Sequence, residues 1–231
     1  MTNPNPPSIL ALIPAYNETA HIAAVVTSTL PHLPVLVVDD GSCDDTAAQA
    51  EAAGASVLRQ VPNQGKGAAL QAGFRHALQH GFQAVITLDA DGQHDPSEIP
   101  AFLSAFSATG ADLIIGERNF HQMPPARRVG NTLGRLLFSW ALGKPVRDNQ
   151  SGYRLISARL MEAMLVAAEG GFEFEVEMFV VAVERGYKLG GVPIRTIYGD
   201  ERSHIRPLRH IVNFMRLIRQ TRRRMHSKEQ A

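Results

Sequence analysis

The sequence predicts an α/β fold: a mostly parallel sheet with helices on both faces, plus a C-terminal basic amphipathic helix. Three observations carry this. Short apolar runs alternate with stretches of helical periodicity, the pattern of repeated βαβ units. Runs such as VLVV (35–38) and AVITL (84–88) lack polar alternation, as strands buried on both sides do. Residues 202–231 hold nine Lys/Arg and a single acid, Glu229, and carry apolar residues at helical spacing.

Taken in order, Ser8–Ile13, apolar from Ile9 on, reads as a strand, and Glu18–Leu30 as a helix. Val35–Val38 is a strand, Asp45–Ala53 a helix and Ala55–Gln60 a strand. Gly65–His80 is a helix and Ala84–Leu88 a strand. Ser97–Ala108 follows as a helix, with Asp95 before Pro96 and Glu98 in the pattern of a capping box, and then strand Asp112–Gly116. Past residue 120 the alternation loosens. Arg127–Leu142 reads as helix, Tyr153–Ile156 as strand, Phe172–Arg185 as helix, Val192–Tyr198 as extended and Pro207–Met225 as the basic helix. The expected organisation is a Pro/Asn-rich disordered tail over 1–7, one domain over 8–204, and a basic helix and tail over 205–231.

The net charge of +1 hides an asymmetry. Outside residues 202–231 the chain has 14 basic and 21 acidic residues, a net of −7. An acidic body with a basic end points the end toward an anionic partner, membrane lipid or nucleic acid. The body's acidity and the lack of a nucleic-acid motif argue against nucleic acid. No window reaches the apolar length of a membrane span, and residues 1–8 lack the apolar stretch of a secretory signal. Cys43, the single cysteine, allows no internal disulfide and fits a reducing compartment such as the cytoplasm.

In such a sheet, ligands bind beyond the C-terminal strand ends. Those ends read PAYNE, DDGS, DADGQH and GERN, so acidic and polar residues converge on one edge. The stretch LDADGQHD (88–95) is not an EF-hand loop: counted from Asp89, the sixth position is His94 and the twelfth is Pro100. Asp95 reads as a helix cap. Asp89 and Asp91, with Gln93 as a neutral oxygen donor, can hold a divalent cation whose remaining positions take phosphate oxygens. Tyr16 can stack on a base, and Glu18 and Asp40 can accept hydrogen bonds from base or ribose. Lys66 in NQGKG suits a diphosphate; the loop is neither a Walker loop nor G-x-G-x-x-G.

With these motifs in register, IPAYNE, VVDDGSCDDT, NQGKGAALQAGF, DADGQH, IIGERN, ARRVGN, DNQSGYR and GFEFEVEM, the chain over roughly residues 8–204 resembles the family-2 glycosyltransferases of GT-A (Rossmann-like) type. It looks closest to the branch that includes dolichol-phosphate mannosyltransferases. The resemblance implies a nucleotide-sugar donor, a polyprenyl-phosphate acceptor, Mg²⁺ or Mn²⁺, and inverting transfer. Carried over by position, Pro14, Ala15, Tyr16, Glu18, Asp39 and Asp40 hold the nucleoside. Asp89, Ala90 and Asp91 line the diphosphate and ribose, with Asp91, Gln93 and Asp89 as metal ligands. Arg118 and Arg127 meet the acceptor phosphate, and Asp148 and Ser151 lie near the reacting sugar. The family's GSR reads GER here, with Glu117 before Arg118. Its late Arg and Ser-Lys segment reads TIYGDERSHIRP, in which Arg202, His204 and Arg206 are the acceptor-side candidates.

What the acceptor needs depends on its kind. A lipid phosphate is already anionic near neutral pH, whereas a sugar hydroxyl needs a base, for which Asp148 is the candidate. Asp148 also suits a plain turn. The basic helix over Pro207–Met225 has Leu208, Ile211, Val212, Met215 and Ile218 along one face, widened by Phe214 and Leu217 and flanked by arginines. Such a helix docks on an anionic membrane from its cytoplasmic side, or its apolar face packs on the enzyme's own body or on a second subunit.

Overall fold

The structure, a computed structural model, describes residues 8–118, 125–166, 174–195 and 207–229. Its strands are β1 (Ile9–Ala15), β2 (Val35–Asp39), β3 (Ser56–Arg59), β4 (Ala84–Thr87), β5 (Leu113–Arg118), β6 (Arg154–Ser157) and β7 (Leu189–Ile194). The helices are α1 (Ile22–Thr29), α2 (Thr46–Ala52), α3 (Lys66–Gln79), α4 (Ile99–Thr109), α5 (Pro125–Leu142), α6 (Ala158–Val166), α7 (Phe174–Glu184) and α8 (Pro207–Glu229).

The strands form one seven-stranded sheet in the order β3-β2-β1-β4-β6-β5-β7. All pairs are parallel except those of β6, which runs antiparallel to both β4 and β5. The mostly parallel sheet expected from the sequence is therefore present, with one reversed strand in its middle. That reversal brings the start of β6 to the same edge as the ends of β4 and β5: Arg154 stands opposite Thr87 on one side and Ile115 on the other.

Alternate strand residues feed two cores. Leu10, Leu12, Leu36, Val38 and Val85 pack with Phe74, Phe138, Leu160 and Phe179 from α3, α5, α6 and α7. Ile9, Ala11, Ile13, Val37 and Ile86 pack with Ile22, Val26, Ile99 and Phe102 from α1 and α4. Double-sided burial is what the unbroken apolar runs require, since a strand covered on both faces has no solvent side for polar residues.

Several expectations are corrected. The first helix begins at Ile22, because residues 18–21 form a turn in which Glu18 O accepts from His21 N and Ile22 N. Asp95 caps as expected, its carboxylate accepting from Ser97 N at 3.0 Å. Glu98 does not close the capping box: its Oε1 accepts from Arg195 N, 2.7 Å away just past β7. The sequence pattern does not predict α6, and β7 starts at Leu189, ahead of the expected extended stretch. Residues 1–7 and 196–206 lie outside the described residues.

The C-terminal helix packs on the body. Leu217 and Ile218 are buried in the core on the α3/α7 side of the sheet, with Phe214 and Met225 against it. Arg224 ties α8 to α7 through Glu177 (2.6 Å) and Glu184 (2.8 Å). Of the expected apolar face, these described residues meet the protein itself, and Met215 stays partly exposed.

Candidate active site

The site lies along the C-terminal edge of β1, β2, β4 and β5, joined there by the start of β6. On the β1/β2 side it is two loops stitched together. Asn17 N donates to Ser42 Oγ (2.9 Å) and Cys43 N to Asn17 Oδ1 (2.8 Å). Glu18 N donates to Thr46 Oγ1 (2.8 Å). PAYNE after β1 and DDGSCDDT after β2 therefore form one rigid unit. Tyr16 stands on it with 47% of its surface exposed, open to a planar ligand, beside half-buried Pro14 and buried Ala15.

Asp39 and Asp40 are both buried. Asp39 accepts from the amide and hydroxyl of Ser42. The two oxygens of Asp40 accept from Gln64 N (2.8 Å) and Gly65 N (2.7 Å). Asp40 thus anchors the NQGKG loop at the start of α3, a task its sequence position does not disclose.

The loop delivers Lys66. Its Nζ lies 2.5 Å from Asp89 Oδ1 and 2.9 Å from Glu175 Oε1 of α7. Burial alone would raise the Asp89 carboxyl, but the Lys66 ammonium, together with His94 and Arg154, brings its pKa down to about 2. Burial likewise opposes the charge on Lys66, yet Asp89 and Glu175 carry its pKa above the ordinary lysine value. His94 Nδ1 accepts from Asp89 N at 3.0 Å, and its ring stacks on Tyr153. Asp91 Oδ1 accepts from Gln93 N at 2.9 Å, closing the turn of the D-x-D loop around buried Ala90.

The turn before β6 presses against this cluster. A Cβ built on Gly152 would stand 2.6 Å from Asp89 Oδ2, so only glycine admits the approach. Arg154 is fully buried below. It donates to Ser151 O (2.7 Å), Asn149 O (3.4 Å) and Glu175 O, and lies over the Phe179 ring. A buried guanidinium needs such acceptors to offset desolvation, and here they lock the turn to α7.

At the end of β5, Arg118 grips Asp148 in a two-pronged pair, Nε to Oδ2 at 2.6 Å and Nη2 to Oδ1 at 2.9 Å. Asp148 is buried and also accepts from Gln150 N (3.0 Å) and Ser151 N (3.2 Å). Ser151 is itself buried, and its hydroxyl accepts from Tyr153 N at 3.4 Å. Glu117, the departure from GSR, turns to Arg147 (3.2 Å) and covers Gly191 of β7, away from Arg118. Arg127 falls in the first turn of α5, but its side chain, like Arg202, His204 and Arg206, lies outside the described residues.

The donor set around Asp89 fits a divalent cation. Asp89, Asp91 and Gln93 offer hard oxygens, and the Lys66 ammonium already stands as a cation between two carboxylates. Among the described residues no three His, Cys, Asp or Glu converge on one point. Mg²⁺ and Mn²⁺ take one or two carboxylates and complete their shell with substrate phosphates and water.

Sequence reasoning missed Glu175, Arg154 and His94 as site residues. All three lie inside motifs noted above, GFEFEVEM, DNQSGYR and DADGQH, but only the fold shows what they face.

A family model described as Glycosyl transferase family 2 matches residues 11–165. The undecaprenyl-phosphate mannosyltransferase of Micrococcus luteus is 34% identical, covering 80% of this chain and 82% of that one. The polyprenol monophosphomannose synthase of Mycolicibacterium smegmatis is 32% identical, covering 80% and 76%. A UDP-N-acetylglucosamine–dolichyl-phosphate N-acetylglucosaminyltransferase of Methanococcus voltae is 29% identical, covering 83% and 86%. Among solved structures, glucosyl-3-phosphoglycerate synthase of Mycobacterium tuberculosis, in complex with Mn²⁺, UDP and glucosyl-3-phosphoglycerate, superposes with a TM-score of 0.71. At 23% identity, covering 93% of this chain and 78% of that one, it speaks for the GT-A fold alone. A parallel sheet whose strand ends carry a D-x-D loop, and a family match across more than half the chain, lead to one conclusion: this chain belongs to glycosyl transferase family 2 and is a glycosyltransferase.

Proposed function

We propose that this enzyme transfers a hexose from a nucleoside-diphosphate sugar to the phosphate of a polyprenyl-phosphate lipid, with inversion and with a divalent cation. The observation that carries this is the state of Asp148. A hydroxyl acceptor needs a base, and both oxygens of the one candidate are filled by Arg118 and by backbone amides. What the site offers instead is a fixed guanidinium, suited to an acceptor already anionic. The relatives whose names give polyprenyl or dolichyl phosphate as acceptor support the same reading. Their sugars differ, mannose in two and N-acetylglucosamine in one, so the donor's sugar is left open.

In the reaction an acceptor phosphate oxygen forms a bond to the anomeric carbon as the bond to the diphosphate breaks, and the nucleoside diphosphate leaves with the electron pair. No proton has to be removed from the nucleophile. A bound Mg²⁺ or Mn²⁺, held by Asp91, Asp89 and Gln93, supplies stabilisation of charge on the leaving diphosphate. Tyr16, with the stitched loops beneath it, orients the nucleoside. Lys66 takes the diphosphate, Arg118 with its partner Asp148 meets the acceptor phosphate, and Gly152 lets the turn close on Asp89. Incubation with Mn²⁺, a panel of labelled nucleotide sugars and extracted lipid tests the proposal. Label in the lipid phase is expected. Label in aqueous glycan would favour the second reading, a hydroxyl acceptor.

The lipid acceptor implies a membrane surface, which we take to be the cytoplasmic one. No helix among the described residues is long and apolar enough to cross a membrane. The exposed apolar stripe is on α5, where Val129, Leu133, Leu136 and Trp140 are 67%, 57%, 55% and 59% exposed. Arg222 of α8 lies over the Trp140 ring at 4.7 Å, and Arg219 and Arg223 are exposed beside it. α8 thus contributes arginines, each adding about 1 kcal/mol near anionic lipid, and α5 contributes the apolar face. Flotation with liposomes of varied anionic content and salt tests this. Binding is expected to need anionic lipid, to weaken with salt, and to fall with Leu133→Asp or Trp140→Asp; binding indifferent to both substitutions would return the contact to α8 alone.

A further inference from the structure

We propose that Lys66 is a counter-cation built into the donor site, held between Asp89 and Glu175, which keeps the divalent cation from binding well until a diphosphate arrives to draw the lysine away. The inference rests on the reading that the donor is a nucleoside-diphosphate sugar. It makes Glu175 a positioning residue that acts through Lys66.

Lys66 is the first residue of α3. A lysine at a helix N-terminus faces the positive end of the helix dipole, the unfavourable end for a cation. Two carboxylates offset that: Asp89 at 2.5 Å and Glu175 at 2.9 Å. Three separate elements, the β4 end, the α3 start and the α7 start, converge to make the triad. Arg154 holds the α7 end of it through the Glu175 carbonyl and the β6 turn through Ser151 O and Asn149 O. The triad is a fixture of the fold, not a chance meeting of surface side chains.

Its charge sets the order in which ligands bind. The ammonium sits on one oxygen of Asp89. An ion ligated by the other oxygen, at about 2.1 Å, would stand within about 5 Å of it. Like charges that close, in a partly buried site, repel appreciably. With no diphosphate present, Lys66 and the metal therefore compete for Asp89. A diphosphate changes the balance, since it brings negative oxygens for both cations. The lysine's four-carbon stem lets its ammonium swing from Glu175 to a phosphate without moving α3. Metal and diphosphate then load together, and the empty enzyme keeps its carboxylates neutralised.

Isothermal titration of the full chain tests this, with Mn²⁺ alone and then with UDP or GDP at saturating Mn²⁺. Lys66→Met is expected to bind Mn²⁺ alone about tenfold more tightly than wild type and the nucleoside diphosphate about tenfold more weakly. Lys66→Arg, which keeps the charge, is expected to leave Mn²⁺ binding near wild type. Glu175→Gln is expected to tighten nucleoside diphosphate binding several-fold, and to have no such effect in the Lys66→Met background. Weaker or unchanged Mn²⁺ binding by a folded Lys66→Met would overturn the proposal. So would a Glu175→Gln effect of equal size in both backgrounds, which would assign Glu175 to shaping α7. Should neither UDP nor GDP bind the wild type, the donor reading fails, while the Mn²⁺ comparison between wild type and Lys66→Met still decides the role of the lysine.

Discussion

Replacing Gly152 by alanine adds one methyl group where the β6 turn meets the D-x-D loop. That methyl would lie 2.6 Å from Asp89 Oδ2, 3.0 Å from Oδ1 and 3.1 Å from Cγ. Ordinary contact begins near 3.4 Å, so the carboxylate must retreat by about 0.8 Å if the turn does not yield. The turn is poorly placed to yield, because Gly152 O accepts from Thr87 Oγ1 at 2.7 Å and Arg154 pins the flanking carbonyls. Metal–ligand distances tolerate about 0.2 Å, and a misplacement of order 1 Å in a reacting constellation costs about 10²-fold in rate. We expect kcat/KM to fall by about that factor, with a matching rise in the Mn²⁺ needed for half-maximal activity. Stability should change little, since alanine also restricts the unfolded chain, by about 0.4–1 kcal/mol. Gly73→Ala is the contrast: its Cβ would stand 2.3 Å from Leu12 Cδ1, inside the core. Overpacking there costs about 1–3 kcal/mol, lowering Tm by several degrees while leaving kcat/KM per folded molecule alone. A Gly152→Ala enzyme with wild-type kcat/KM and Mn²⁺ dependence, or one whose loss merely tracks its folded fraction, would refute the argument.

The same geometry carries further expected outcomes. Asp91→Ala should lose activity by orders of magnitude, and exhaustive EDTA treatment should do the same to the wild type, restored by Mn²⁺; full turnover in EDTA contradicts both. Arg118→Ala should raise the acceptor KM with nucleotide binding nearly intact. It also strands a buried carboxylate at a cost of about 3–5 kcal/mol, so the double change Arg118→Ala/Asp148→Asn is the cleaner measurement, and an unchanged acceptor KM in it would remove Arg118 from the acceptor side. Burial pushes the His94 pKa below its ordinary value against the pull of Asp89 and Asp91. A group that resists protonation when folded lets the unfolded state take up protons first, so stability should decline as pH falls below about 6.5. Urea unfolding at pH 7 and pH 5 should show a smaller decline for His94→Gln than for wild type; equal declines would place the effect elsewhere.

Much of this is legible in the sequence, and the rest is hidden for physical reasons. The strands β1, β2 and β4 declare themselves because residues buried on both faces must be apolar throughout, and Asp95 because a cap is a local hydrogen bond. β6 gives no sign of its direction: RLIS is buried on both faces whichever way it runs. Glu98 fits a capping box, but a partner nearly a hundred positions away, Arg195 N, takes its oxygen. The amphipathic pattern of α8 announces an apolar face without saying what covers it, and Leu217 and Ile218 meet the enzyme's own core. Asp148 reads from the sequence as a candidate base, with a turn residue as the alternative; only the Arg118 fork and the turn amides show how fully its oxygens are engaged. Lys66, Asp89 and Glu175 belong to three separate motifs, and their meeting is a property of the folded sheet.

The reversed strand has a further consequence for a chain leaving the ribosome. Strands β3, β2, β1 and β4 can pair as soon as residue 87 has emerged, because their partners all precede it. The growing chain then carries the loops after β1 and β2 on a four-stranded half-sheet whose β4 edge is bare. β5 emerges next and finds no partner, for its neighbours β6 and β7 are still unmade. A bare, apolar edge invites pairing with other chains. It is closed only when Arg154–Ser157 slides in against β4 and receives β5 on its other side. The same pairing brings Gly152 onto Asp89, so one strand both closes the β4 edge and sets the wall of the cleft, leaving only the outer edge of β5 for β7 to cover.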